Sequence, residues 1–149
     1  MIIGYASIVL KLCSMGLMLA AGGLWATASV ETRPKHWDEQ TLVGGTIWSQ
    51  VIIPLGLMIS TIVDDSLDEF VHGYFLLSGL VLLTYTGTIL VIDEYKAMQR
   101  RVQRQEQLPE NPTPRPIIAS YDRIYLGIGI LTDLAAIFTL IDLMLLLIT

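Results

Sequence analysis

The sequence predicts an all-α polytopic membrane protein, an up-and-down bundle of four transmembrane helices with the third helix extended beyond the membrane. Three observations carry that prediction. Four apolar stretches, at 2–29, 42–63, 70–92 and 124–148, fill most of the 149 residues. Each is long enough to cross about 30 Å of hydrocarbon at about 1.5 Å per residue. The chain is 53% hydrophobic and 15% charged, with a mean hydropathy of +0.61, whereas a soluble domain carries about 25% charged residues. Finally, Lys11, Asp133 and Asp142 stand inside the apolar stretches. A charge there is costly unless it is paired or faces protein, so these three residues mark the inside of a bundle. What lies outside the spans is too short for a second folded unit, and residues 1–149 read as one membrane domain.

The first span lacks a basic leader and is longer than the apolar core of a cleavable signal, so it is expected to be retained. It holds Lys11, the single cysteine Cys13, and a seam of small residues, Gly16, Ala20, Ala21, Gly22 and Gly23. Such a seam permits close helix packing, and one cysteine cannot form an intrachain disulfide. In the second span Pro54 removes a backbone donor, frees the carbonyl of Gln50 and predicts a kink. Thr46, Ser49 and Gln50 make a polar patch expected to face other helices, where an interhelical hydrogen bond contributes about 0.6 kcal/mol on average. Gln50 and Asp133 are the intramembrane polar residues expected to face a partner protein.

Before the third span, Asp64-Asp65-Ser66-Leu67-Asp68-Glu69 offers Ser66 as a helix cap and Glu69 as the reciprocal half of a capping box. The carboxylates suit the positive end of the helix dipole, and the spacing and glycine of a calcium-binding EF-hand loop are missing. Past Ile92, the segment 93–105 is rich in helix formers and free of glycine and proline, which predicts one helix continuing to about Gln107. Lys96, Arg100 and Arg104, at i, i+4 and i+8, form a basic stripe for anionic lipid or an acidic partner. Each such charge near a membrane surface gains about 1 kcal/mol. Pro109, Pro112, Pro114 and Pro116 then make an extended strap back to the fourth span. That span contains Asp133 and Asp142 and its own small residues, Gly127, Ala135 and Ala136.

Charge sets the expected orientation. Eight of the nine Lys and Arg residues lie in the first and third loops, and none lies in any other loop or terminus. The positive-inside rule then places those loops in the cytoplasm, or in the matrix of a mitochondrion, with both termini opposite. A net charge of −5 argues against nucleic acid as a partner. Depth pairs the buried charges. Lys11 lies about as far into the first span as Asp142 lies from the end of the fourth, and antiparallel neighbours would bring them together as a structural clamp. Asp133, about 13 Å deeper at 1.5 Å per residue, falls out of reach.

No catalytic or cofactor set is readable. His36 and His72 fall at opposite ends of the bundle, and there is no Gly-rich phosphate loop, cysteine pair or Ser/His/Asp group on one side. The expectation is a protein that is not an enzyme and that takes no cofactor or metal. The segments Ser7-Ile8-Val9-Leu10-Lys11-Leu12, Leu67-Asp68-Glu69-Phe70, Ser78-Gly79-Leu80-Val81-Leu82-Leu83-Thr84-Tyr85-Thr86-Gly87 and Phe138-Thr139-Leu140-Ile141-Asp142 resemble the arthropod snakeskin-like, MARVEL-related four-span proteins. The resemblance implies a non-enzymatic membrane organiser, as at insect smooth septate junctions, with Lys11 and Asp142 matching charged positions of the first and last spans. It also implies cytoplasmic termini, opposite to the charge-derived orientation preferred here. Two further function classes fit the same bundle. One is an accessory subunit of a large energy-transducing complex, which would place the chain in the mitochondrial inner membrane rather than at a cell junction. The other is a small transporter or proton conductor. Partners expected from the sequence are the lipid bilayer, anionic lipids and other integral membrane proteins.

Overall fold

The computed structural model describes residues 2–28, 37–63, 69–106 and 118–148. They form four helices: α1 (Ile2–Thr27), α2 (Trp37–Ile62), α3 (Glu69–Glu106) and α4 (Ile118–Ile148). All four are long and apolar enough to cross a membrane. Helices are what the composition demands, because a segment in hydrocarbon must satisfy its N–H and C=O groups internally. The capping sequence 64–68, the proline strap, the basic residues of the first loop and the expected end at Gln107 lie outside the described residues.

Two helices begin earlier than apolar content alone predicts. Helix α2 starts at Trp37 rather than 42, and its first turn contains Asp38 and Glu39, which suit the positive end of the helix dipole. Helix α4 starts at Ile118 rather than 124, so Ser120, Tyr121, Asp122 and Arg123 extend the helix instead of belonging to the loop. Hydropathy marks where the chain is apolar; the backbone carries the helix on into the polar interface. Helix α3, 38 residues without an internal proline, is about 57 Å long at 1.5 Å per residue.

The helices are arranged in ring order α1, α2, α3, α4. Helix α4 packs most extensively against α3 and then α1, whereas α2 packs on α1 and least on α3. Contacts run in opposite directions along neighbours: Ser7 meets Asp142 while Trp25 meets Tyr125. On the other side of α4, Leu146 lies beside Gly73 and Asp133 beside Gly87. The bundle is therefore antiparallel, up-and-down. Buried positions recur at steps of three and four, as in Lys11, Ser14, Met18 and Ala21 of α1 or Ile128, Thr132, Ala135, Thr139 and Asp142 of α4, the repeat of helices crossing at a shallow angle.

The interior is more polar than the surface. Lys11, Ser14, Thr46, Gln50, Thr86, Thr132, Thr139 and Asp142 are buried, while Val9, Leu19, Ile52, Val81, Ile137 and Leu147 are exposed. In water that distribution would be costly; in lipid the exposed apolar side chains meet acyl chains, and polar groups are driven inward to find partners. The apolar part of the core is built on Met18, Ala21, Leu83, Ile128 and Ala135.

Candidate functional site

The chemistry of the molecule is concentrated at the end of the bundle where α1 begins and α4 ends. Lys11 Nζ lies 2.7 Å from Asp142 Oδ2, and both side chains are 3% exposed. Ser7 sits one turn before Lys11 on the same face of α1, and it bridges the pair. The ammonium donates to Ser7 Oγ, and that hydroxyl donates to Asp142 Oδ1. One carboxylate oxygen thus faces the ammonium and the other takes a hydroxyl donor, an arrangement in which a buried charge pair offsets its desolvation. One turn further along, Ser14 Oγ lies 3.4 Å from Thr139 Oγ1 and 3.5 Å from the Ala135 carbonyl, and Thr139 donates to that same carbonyl at 2.9 Å. Thr46 and Thr86 join α2 to α3 through hydroxyls 3.0 Å apart.

Gln50 is the first correction to the sequence reading. It faces another helix, as expected of the Thr46-Ser49-Gln50 patch, but not a partner protein: it is 2% exposed and points into the bundle, its amide lying over Gly79 of α3. A Cβ at position 79 would stand 2.8 Å from Gln50 Oε1, so glycine there makes room for the amide. The physical reason is that a lone amide has a hydrogen-bonding route only toward the interior, since lipid provides none. Asp133 is placed differently. It is half-buried at the seam between α3 and α4, its carboxylate lies against Gly87, and a side chain at position 87 would collide with it. No hydrogen bond or ion pair to Asp133 is formed among the described residues.

His72, on the first turns of α3, is half-buried within electrostatic range of both Lys11 and Asp142. The sequence reading separated it from His36 but did not bring it to the charge pair. Ser7 was likewise missed as a functional residue, although its spacing of four from Lys11 is the signal that would have found it. Lys96 and Arg100 are exposed on the last turns of α3, and Arg104 continues the same helix one turn on.

Two cavities flank this polar core. One of about 20 Å³ lies among Lys11, Ser14, Gln50, Pro54, Thr139 and Asp142. The other, of about 190 Å³, lies toward the opposite end, where α2 begins and α3 leaves the apolar region, and is lined by Glu39, Thr86, Asp93, Glu94 and Tyr125 among aliphatic residues. Among the described residues no three of His, Cys, Asp and Glu converge as a metal-binding group. The arrangement holds charge and hydroxyls inside a membrane bundle. Comparison with protein-family models, with curated proteins and with solved structures finds no match to this chain.

Proposed function

We propose that this protein is a non-enzymatic integral membrane organiser, a compact scaffold that packs against other membrane proteins at a cell junction. The observation that carries the reading is the division of its intramembrane polar groups. Lys11, Ser7 and Asp142 bond to one another, as do Thr46 and Thr86, while Asp133 is half-buried on the α3–α4 seam with no hydrogen bond or ion pair among the described residues. A carboxylate at that depth is stabilised by a donor from a neighbouring helix, because ionisable residues in membranes pair or face protein. Gly16, Ala20 and Gly23 also face outward on α1, giving a second strip where another backbone approaches closely. The length of α3 supports a third contact outside the bilayer, through the stripe of Lys96, Arg100 and Arg104.

The alternative is an accessory subunit of an energy-transducing complex, favoured by how little of the chain lies beyond its helices. One experiment separates them. A photo-crosslinking residue at position 133, and another at position 20, is activated in native membranes and the adducts are identified. Adducts with junctional membrane proteins support the organiser, adducts with subunits of a respiratory or ATP-synthase assembly support the alternative, and adducts with lipid alone at both positions overturn both.

A further inference from the structure

We propose that the small cavity in the polar core is a binding site for one water molecule, held as a fixed part of the fold and bridging α2 to the α1–α4 charge pair. Gln50 Nε2 has no hydrogen-bond partner among the described residues, and Asp142 Oδ2, held by the Lys11 ammonium at 2.7 Å, keeps a second lone pair that no other donor takes. Both residues line the same cavity of about 20 Å³. A site of about 10–15 Å³ on this measure admits a water, given two to four polar partners.

The chemistry of the walls selects the ligand. The occupant must accept from the Gln50 amide and donate to a carboxylate oxygen, and water does both at once. A metal cation would meet the Lys11 ammonium and the amide N–H, an anion would meet the Asp142 carboxylate, and a solute larger than water does not fit. Pro54 adds a further acceptor. Lacking an N–H, it leaves the Gln50 carbonyl without its intrahelical donor, and its ring lines this cavity. Ser14 and Thr139 complete the polar wall.

The water is a tie between elements. The hydrogen bonds of the polar core join α1 to α4 through Ser7, Lys11, Ser14, Thr139 and Asp142, and α2 to α3 through Thr46 and Thr86. The bridging water adds a link from Gln50 on α2 across to Asp142 on α4.

The test is a water–protein contact measurement on the folded chain in lipid nanodiscs, with side-chain amides labelled with nitrogen-15. Rotating-frame cross-relaxation distinguishes a water held beside the amide from exchange with bulk solvent by the sign of the cross-peak. The Gln50 side-chain protons are expected to show a cross-peak at the water frequency with the sign of direct dipolar contact. That peak is expected to be lost in Gln50→Met, which fills the space with an apolar chain. A resolved Gln50 amide with no water peak, or one with the sign of chemical exchange, overturns the proposal. If Gln50→Met does not fold, the wild-type spectrum, assigned through the bonds of Gln50, decides alone.

Discussion

Among single residues, Lys11 and Asp142 dominate the interior, and each is there because of the other. Removing one partner strands a buried charge, which costs about 3–5 kcal/mol, whereas replacing both by apolar residues of similar size is close to neutral. Lys11→Met and Asp142→Leu are therefore each expected to lower the folded yield in detergent sharply, and the double variant to recover most of it. A double variant no better than the worse single one would show that the contact contributes nothing as a pair. Ser7→Ala is expected to be milder, about 1–3 kcal/mol, because it leaves Asp142 Oδ1 without its donor but keeps the ammonium in place. The pair was legible from the chain because depth in a helix is linear in residue number, and two antiparallel neighbours bring equal depths together. Ser7 was not, since a serine in an apolar helix ordinarily bonds to its own backbone, as Ser49 and Ser78 do here. Gln50 was misread for a different reason. The polar patch of Thr46, Ser49 and Gln50 marks the inward face of α2, but a polar patch alone does not say whether the helix it meets belongs to this chain or to another protein.

The seam between α3 and α4 shows how glycine sets the distance between elements. Gly87 admits the Asp133 carboxylate, and a Cβ at position 129 would come within 2.9 Å of Val91 Cγ2. Gly87→Ala is expected to force the two helices apart or to displace Asp133, destabilising by about 1–3 kcal/mol as overpacked sites do. Combining it with Asp133→Ala should relieve most of that cost, read as recovery of thermal stability in the same detergent; an additive loss would mean that the two positions do not meet. Helix α3 carries a second consequence. Its 38 residues make it the longest helix of the bundle, and Lys96 and Arg100 are exposed on its C-terminal part. Replacing Lys96, Arg100 and Arg104 by Gln should weaken association with vesicles containing anionic lipid at low salt and have little effect at high salt, where screening has already removed the attraction. Equal association of both proteins at low salt would leave the stripe no role in binding. The continuity of α3 was readable from its helix formers and lack of proline. The starts of α2 and α4 were not, because they lie in amphipathic sequence where apolar content stops before the helix does.

Across the whole molecule, the number and order of the helices were legible because each span is a long apolar run broken by two charges at most, and short connections make neighbours antiparallel. Orientation depends on charges beyond the apolar runs, several of them on the polar ends of α3 and α4, so it is tested directly. With Gln103→Cys and Ser66→Cys made separately in a Cys13→Ser background, an impermeant thiol reagent added to intact cells or organelles is expected to label position 66 and spare position 103. The reverse pattern would invert the protein. The closure of the ring by α4 against α1 has one more consequence, which concerns time. Ser7 and Asp142 are 135 residues apart in the chain, and synthesis at roughly 5–20 residues per second separates their emergence by about 7–27 s. During that interval α1 enters the membrane with its lysine uncompensated, and nothing made before α4 supplies the carboxylate that neutralises it. Until the last helix arrives, the ammonium of nascent α1 is accommodated only by snorkelling toward the interface or by contact with the insertion machinery or a neighbouring chain. A chain stopped before α4 is accordingly expected to be cleared rapidly from the membrane, and Lys11→Met in that same truncated chain to prolong its lifetime in a pulse-chase measurement.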